Sequence, residues 1–151
     1  MTLPKHIVIV EDEAITQRYL KNILEQYDVV ISGCFDNAKD AKEGLKQCEC
    51  DMLLMDINIK GSVDGIQLAS ELVKSYDFPI IFITAHNDDN TFQEALELTP
   101  YGFIEKPFNS RDIVFSLQLA YKRYLEDSKR STTKTEEQSD TVTINKSFTY
   151  S

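Results

Sequence analysis

The sequence predicts an α/β fold in which helices cover both faces of a five-stranded parallel sheet. Five apolar runs of strand length alternate along the chain with five segments whose apolar residues recur at helical spacing. The runs at 6–10, 51–56 and 79–83 are nearly continuous, which is typical of parallel strands that are buried on both faces. Strands that alternate with helices favour parallel pairing through crossover connections. These observations leave both doubly wound strand orders open.

The central predicted strand is Asp51 to Asp56, in which four consecutive apolar residues lie between two acids. The run is too short for an amphipathic helix and shows no three-four spacing, so a buried strand is the better interpretation. Asp56 then lies at the carboxyl end of this strand. In open parallel sheets, ligands bind in the crevice outside the carboxyl ends of the strands.

Two strands and two helices are predicted before the central strand. The first strand is 6–10, and the helix that follows it has Asp12 as its predicted N-cap. The apolar stripe of this helix comprises Ile15, Tyr19, Leu20, Ile23, Leu24 and Tyr27. The second strand is predicted at 29–35, and the second helix begins at Asp36 or Asn37.

Five further elements are predicted after the central strand. They are a loop over 58–64 with a helix from 66 that ends before Pro79, a strand at 79–83, a weaker helix over 87–98, a strand at 101–104 and a helix from about Ser110 to about Lys129. The inner face of the 87–98 helix is predicted to comprise Phe92, Ala95 and Leu96.

The composition changes from Ser128 onward to serine, threonine, lysine and glutamate. We therefore predict a folded domain at 1–128 and, at 129–151, a linker or the start of a truncated output domain. The segments 142–144 and 148–150 alternate apolar and polar residues like opening strands of a further domain, and a disordered tail is the alternative interpretation.

Length and charge narrow the class of protein. The 151 residues are 42% hydrophobic, and no apolar run approaches the roughly 20 residues of a membrane-spanning helix. No signal peptide is visible, so we predict a cytoplasmic protein without a membrane segment. The net charge of -9 argues against nucleic-acid binding by this segment, since it would repel phosphate.

Cys34, Cys48 and Cys50 are expected to be reduced thiols, because they form neither a disulfide framework nor a four-ligand metal set.

Chemically competent side chains follow four of the five predicted strands. They are Glu11, Asp12, Asp56, Thr84 and Lys106. Taken singly, each has an ordinary structural role as a cap or a solvated charge. Crowded carboxylates raise one another's pKa unless a cation joins them, and hard oxygen ligands of this kind suit Mg2+. A carboxylate beside Mg2+ can attack phosphorus, while a lysine and a hydroxyl stabilise charge on the phosphoryl oxygens.

Four short motifs give this grouping a resemblance to a known family. The acid pair at 11–12, Asp56-Ile57-Asn58, Ile83-Thr84-Ala85 and Lys106-Pro107-Phe108 resemble the receiver domain of two-component response regulators. Each motif is weak alone, but their order and spacing match from Lys5 to about Glu126. The resemblance implies a flavodoxin-like sheet with strand order 2-1-3-4-5 and five helices.

The resemblance also implies residue roles. Asp56 matches the phosphoacceptor, which takes a phosphoryl group from a sensor histidine kinase or a phosphotransfer protein. Asp12, Asp56 and the main-chain carbonyl of Asn58 match the Mg2+ ligands, and Glu11 matches a residue that acts through water. The family's function is a phosphorylation-activated switch that controls an output domain or partner.

Other matched positions concern how the switch responds. Thr84 matches a hydroxyl that moves to bond the phosphoryl group. Lys106 matches the lysine that pairs with that group, and the Lys106-Pro107 peptide bond is expected to be cis. Phe103 lies at an aromatic switch position, with ordinary strand packing as the equal alternative. Asn58 and His86 lie at positions that tune dephosphorylation.

The resemblance also bears on assembly, on enzymatic activity and on the alternative functions. The resemblance allows a homodimer through the fourth helix, fifth strand and fifth helix. It also implies no enzymatic activity beyond self-catalysed phosphotransfer and autodephosphorylation. The alternatives are an unphosphorylated protein-binding pseudo-receiver and an aspartyl-phosphate phosphatase, although Asn58 stands where such a phosphatase needs a second aspartate.

Overall fold

A computed structural model of the chain describes residues 2–61, 63–85 and 89–137. Strands and helices alternate throughout this part of the chain. They are β1 (His6–Val10), α1 (Ala14–Leu24), β2 (Val30–Phe35), α2 (Ala38–Leu45), β3 (Met52–Asp56), α3 (Gly65–Ser75), β4 (Ile80–Thr84), α4 (Asp89–Leu96), β5 (Gly102–Glu105) and α5 (Ser110–Glu137). No helix within the described ranges is both long and apolar enough to cross a membrane.

The strands form one parallel sheet in the order β2-β1-β3-β4-β5. This confirms the five-stranded, doubly wound α/β fold, with the strand order that the family resemblance implied. The strand limits differ from the predicted ones by a residue or so, which is the usual uncertainty at element ends. β3 lies at the centre, and every one of its residues is buried.

The sheet has an apolar core on each face, and successive strand residues contribute to opposite cores. Ile7 and Leu54 join the core under α1 and α5, whereas Val8, Leu53 and Phe82 join the core under α2, α3 and α4. Side chains alternate along a strand, so a strand that is covered on both faces must be apolar at every position. The continuous apolar runs in the sequence therefore reflect this double burial.

The predicted start of α1 was wrong. The N-cap position is Glu13 rather than Asp12, and the side chain of Glu13 makes no capping hydrogen bond. Asp12 instead accepts a hydrogen bond from the main-chain N–H of Lys60, at 3.0 Å. Its carboxylate is thereby held toward the loop that follows β3, where a local capping rule would not place it.

The predicted apolar stripe of α1 was correct only in its second half. Leu20, Ile23 and Leu24 are buried, but Ile15 is 85% exposed. Tyr19 is also exposed, whereas Tyr27 follows the end of the helix and packs against the core. The first half of the stripe therefore has the helical spacing of a buried face without being buried.

The other helices confirm some details and correct others. Asn37 caps α2 by accepting a hydrogen bond from the N–H of Asp40, at 2.8 Å. In α4, Ala95 is buried as predicted, whereas Leu96 is exposed and its predicted inward position was wrong. The aromatic ring of Phe92 contacts Phe103.

The last helix continues further than expected. α5 extends to Glu137, although the change in composition predicted its end near Lys129. The division into 1–128 and 129–151 therefore stays a prediction. The two alternating segments at 142–144 and 148–150 lie outside the described residues.

Candidate phosphoryl-transfer site

The strand ends bring the candidate residues to one edge of the sheet. Val10 pairs with Met55 across β1 and β3, and Asp56 pairs with Ile83 across β3 and β4. These registers place the carboxyl ends of neighbouring strands side by side. The acid pair that follows β1, Asp56, Thr84 and the lysine that follows β5 therefore share the edge at which ligands bind in this class of sheet.

Asp56 is almost completely buried, and each of its carboxylate oxygens has a donor. Oδ1 accepts a hydrogen bond from the main-chain N–H of Asn58, at 2.8 Å. Oδ2 accepts one from Nζ of Lys106, at 2.9 Å. A buried carboxylate needs such partners because an unpaired buried charge is strongly unfavourable. The two hydrogen bonds fix the orientation of the carboxylate.

Glu11 is fully buried, with 0% of its surface exposed. Its Oε2 accepts a hydrogen bond from the N–H of Glu13, at 3.0 Å, but within the described residues Oε1 accepts none. Burial raises the pKa of Glu11 to about 7, and the charge of Asp56 contributes to the rise. A buried carboxylate oxygen without a donor is rare in proteins and indicates a position where a cation fits.

Glu11, Asp12 and Asp56 together fit a hard divalent cation. Each offers a carboxylate oxygen, and these oxygens lie within 4.8 Å of one another. The buried Oε1 of Glu11 accepts no hydrogen bond within the described residues, and the ammonium of Lys106 lies 3.5 Å from it. Oxygen ligands from one or two carboxylates, completed by water and phosphate oxygens, are the usual environment of Mg2+.

Lys106 is surrounded by carboxylates. Its Nζ lies 2.9 Å from Asp56, 3.5 Å from Glu11 and 3.6 Å from Glu13. Burial alone would lower the pKa of Lys106, but the hydrogen bond and charge of Asp56, with the two glutamates, outweigh it and raise the pKa. The predicted cis peptide between Lys106 and Pro107 is present.

Thr84 is buried at the end of β4, but its hydroxyl is not hydrogen-bonded to Asp56. Its Oγ1 donates to the carbonyl of Ala85 at 3.4 Å, which is long for an O–H···O bond. The main chain is better fixed, because the N–H of Lys106 donates to the carbonyl of Thr84 at 2.9 Å. Among the described residues this long contact is the hydroxyl's hydrogen bond, and the hydroxyl lies at a firmly placed strand end.

Phe103 is half-buried on the face of the sheet that α4 covers. The centroid of its ring lies 4.5 Å from that of Phe92 and 5.9 Å from that of Phe82. This arrangement is consistent with both interpretations of Phe103, as ordinary packing and as a switch. His86 lies outside the described residues.

One residue that supports the site was missed by sequence reasoning. A Cβ atom on Gly65 would lie 2.6 Å from the carbonyl oxygens of both Asp56 and Ile57, so only glycine fits there. Its N–H also donates to the carbonyl of Ile57, at 3.1 Å. The signal in the sequence was the capping box of Asp64 and Gln67, which starts α3 at a glycine.

Comparison with known proteins decides the family. A family model described as the response regulator receiver domain matches residues 7–118. The chain belongs to this family. Receiver domains act in two-component signalling, so membership supports a role for this chain in such signalling.

Two curated relatives illustrate the match. The transcriptional regulatory protein PdtaR of Mycobacterium tuberculosis is 27% identical over 124 residues, which is 82% of this chain and 60% of PdtaR. The aerobic respiration control protein ArcA of Escherichia coli is 32% identical over 108 residues, which is 72% of this chain and 44% of ArcA. The chain thus spans about half the length of these relatives.

A solved structure extends the similarity to the fold. The signal receiver domain of a modulated diguanylate cyclase from Desulfovibrio desulfuricans G20 is 32% identical in sequence, with a TM-score of 0.76. The alignment covers 83% of this chain and 99% of that structure. The receiver match therefore extends over almost the whole of an independent receiver domain.

Proposed function

We propose that Asp56 accepts a phosphoryl group, with Mg2+ bound, from a sensor histidine kinase or a phosphotransfer protein. The observation that carries this proposal is the buried Asp56 carboxylate, which accepts a hydrogen bond from Lys106 and belongs to a set of acidic oxygens that suits Mg2+. Glu11 and Asp12 supply the other carboxylates of that set. By the family resemblance, the carbonyl of Asn58 completes the protein's share of the ligands.

The chemistry is a direct transfer to oxygen. One carboxylate oxygen of Asp56 attacks the phosphorus of the donor phosphohistidine, and the phosphorus–nitrogen bond breaks. The electron pair of that bond stays on the donor imidazole, which then takes up a proton. Lys106 exchanges its hydrogen bond with Asp56 for one with a phosphoryl oxygen. When bound, Mg2+ would neutralise negative charge on the transferred group.

We propose that Thr84 and Phe103 convert this local event into a change of shape. The hydroxyl of Thr84 loses little when it leaves its 3.4 Å contact and donates to the phosphoryl group. Phe103 lies one strand away and contacts Phe92 of α4. A movement at these positions would change the surface formed by α4, β5 and α5, as expected of a charge event coupled to a bistable element.

An apolar surface next to the site supports docking of the phosphodonor protein. Ile15 is 85% exposed in the first turn of α1, directly after the acid pair. Tyr19 is also exposed and stacks on Phe108, with ring centroids 5.7 Å apart. Exposed apolar groups that cluster beside a reactive side chain are typical of a protein-docking surface.

The α4-β5-α5 surface is the proposed output face, and it could also form a homodimer. Phe115 and Leu119 of α5 are both exposed there, and Arg111 lies 5.2 Å from the centre of the Phe115 ring.

We further propose a cytoplasmic location, because Cys34, Cys48 and Cys50 are free thiols. The only chemistry proposed is self-catalysed phosphotransfer and autodephosphorylation.

Phosphorylation by acetyl phosphate in the presence of Mg2+ tests the proposal. We expect the intact mass of the chain to increase by one phosphoryl group, and Asp56→Asn and chelation of Mg2+ to abolish the increase. Asp28→Asn makes the same chemical change at an exposed position and should leave labelling unaffected. Labelling of Asp56→Asn at the wild-type rate would exclude this phosphoacceptor and favour a pseudo-receiver.

A further inference from the structure

Glu13 is the third carboxylate that faces Lys106, and neither the metal set nor the phosphoacceptor includes it. Its Oε1 lies 3.6 Å from Nζ of Lys106. Its side chain is 62% exposed, whereas those of Glu11 and Asp56 are buried. Glu13 therefore approaches Lys106 from the solvent side, while the other two carboxylates approach it from the interior.

The Glu13 carboxylate is held in this position by its own helix. Thr16 donates a hydrogen bond of 2.8 Å to the same Oε1 that faces Lys106. This hydrogen bond and, after it, the charge of Lys106 lower the pKa of Glu13. The hydrogen bond from Thr16 therefore fixes this carboxylate near the ammonium.

Lys106 has three N–H donors, and three carboxylates already face them. Asp56 takes the hydrogen bond at 2.9 Å, and Glu11 and Glu13 lie at 3.5 and 3.6 Å. An incoming phosphoryl group also needs a donor from Lys106. Because Asp56 is buried, the donor molecule must come from the solvent side, where Glu13 already neutralises part of the ammonium charge.

We propose that Glu13 is a positioning residue that competes with the incoming phosphoryl group for Lys106 and so slows phosphorylation of Asp56. This inference rests on the proposed function of Asp56. Its geometric basis is the contact between Lys106 and a Glu13 carboxylate that Thr16 holds in place. Glu13 acts through Lys106 and takes no part in the transfer itself.

The test reaction is phosphorylation of the full chain by acetyl phosphate. An oxygen of Asp56 attacks phosphorus, and the bond between phosphorus and the acetate oxygen breaks. The electron pair leaves with acetate, so the products are aspartyl phosphate and acetate. The rate constant is measured by intact mass in the presence of saturating Mg2+.

Two variants separate competition by contact from a general effect of charge. Glu13→Gln removes the charge, whereas Glu13→Asp keeps it on a side chain too short to reach Lys106 while bonded to Thr16. We expect both variants to be phosphorylated about two- to five-fold faster than wild type, an effect of the size that exposed ion pairs produce. The acceleration should shrink at high salt, where exposed charges are screened. A purely structural role would not give this salt dependence.

The matched control is Glu25→Gln, which removes the same charge from an exposed position at the other end of α1. Its rate should equal that of wild type. If Glu13→Gln is fast and Glu13→Asp is not, charge alone acts and competition by contact is refuted. Wild-type or slower rates in both Glu13 variants also refute it. A wild-type chain that takes no phosphate indicates instead that the proposed function has failed.

Discussion

Lys106 Nζ donates a hydrogen bond of 2.9 Å to Asp56 Oδ2, which joins two residues that are 50 positions apart in the chain. The same ammonium lies 3.5 Å from Oε1 of Glu11, the buried oxygen without a hydrogen bond. One cation therefore serves two buried carboxylates, and Asp12 adds a third acid nearby. The site therefore has more carboxylates than cations, and this excess of negative charge determines how it should respond to metal and to pH.

Mg2+ should stabilise the folded chain, because the unfolded chain does not hold these acids together. At a concentration ten times the Kd, binding should raise the free energy of unfolding by about 1.4 kcal/mol. Asp12→Asn should lose most of this gain. The measurement is thermal unfolding followed by circular dichroism with Mg2+ or with EDTA. Asp28→Asn is the surface control, and an equal gain in Asp12→Asn would place the bound metal elsewhere.

The pH dependence of stability should report the buried carboxyl of Glu11. Its pKa rises from an ordinary value of 4.5 to about 7 on folding, mainly because of burial. Between these values the unfolded chain releases the proton while the folded chain retains it. The contribution of Glu11 to stability is therefore fully present below pH 4.5 and is lost as the pH rises to about 7.

Glu11→Gln tests this dependence, because glutamine stays neutral throughout. We expect the free energy of unfolding of this variant, relative to wild type, to increase between about pH 5 and about pH 7.5. Urea denaturation in EDTA measures the difference without bound metal. Glu25→Gln should show no such trend, and a flat difference for Glu11→Gln would mean that the carboxyl ionises normally in the folded chain.

The sequence predicted the side chains at the strand ends because chain order and strand periodicity determine them. A buried strand followed at once by Asp56 places that residue at the carboxyl edge whatever the helices do. The same argument places Thr84 at the carboxyl end of β4. Parallel strands in register then bring distant acids and a lysine together. This part of the site depends on local pattern and on one general rule of sheet geometry.

The parts that could not be predicted depend on contacts between distant segments. The hydrogen bond from Lys60 to Asp12 spans 48 positions, so a local capping rule assigned Asp12 to α1. The exposure of Ile15 depends on which other segments cover the first turn of α1, and helical spacing does not determine that. The contact of Glu13 with Lys106 and the close packing around Gly65 produce no periodic pattern in the sequence from which they could be predicted.

Gly65 should be intolerant of even one methyl group. A Cβ atom would lie 2.6 Å from the main-chain oxygens of Asp56 and Ile57, so the end of β3, which carries the phosphoacceptor, and the loop after it must shift. We expect Gly65→Ala to lower the free energy of unfolding by about 1–3 kcal/mol, as overpacking does, and to slow phosphorylation. Gly102→Ala is the control, since its Cβ would make ordinary contacts with Ile81 at 3.6 and 3.8 Å. Equal stability of the two variants would show that the loop adapts freely.

A double-mutant cycle on Phe103 and Phe92 should decide whether Phe103 moves. Their ring centroids lie 4.5 Å apart, and such a pair contributes about 0.5–1.5 kcal/mol beyond the burial of its area. The coupling is obtained from thermal unfolding of the two Phe→Leu variants and the double variant. We expect a value in this range for the chain with Mg2+ alone. It should change when excess acetyl phosphate keeps Asp56 phosphorylated, because a moving Phe103 changes its contact with α4.

The stacked pair Tyr76 and Phe78 provides the reference for this cycle. Their centroids lie 5.2 Å apart, after α3 and away from the phosphoacceptor. Their coupling should be the same with and without acetyl phosphate, which separates a local change at Phe103 from a general change in stability. If the coupling of Phe103 with Phe92 is also unchanged, Phe103 is an ordinary core residue.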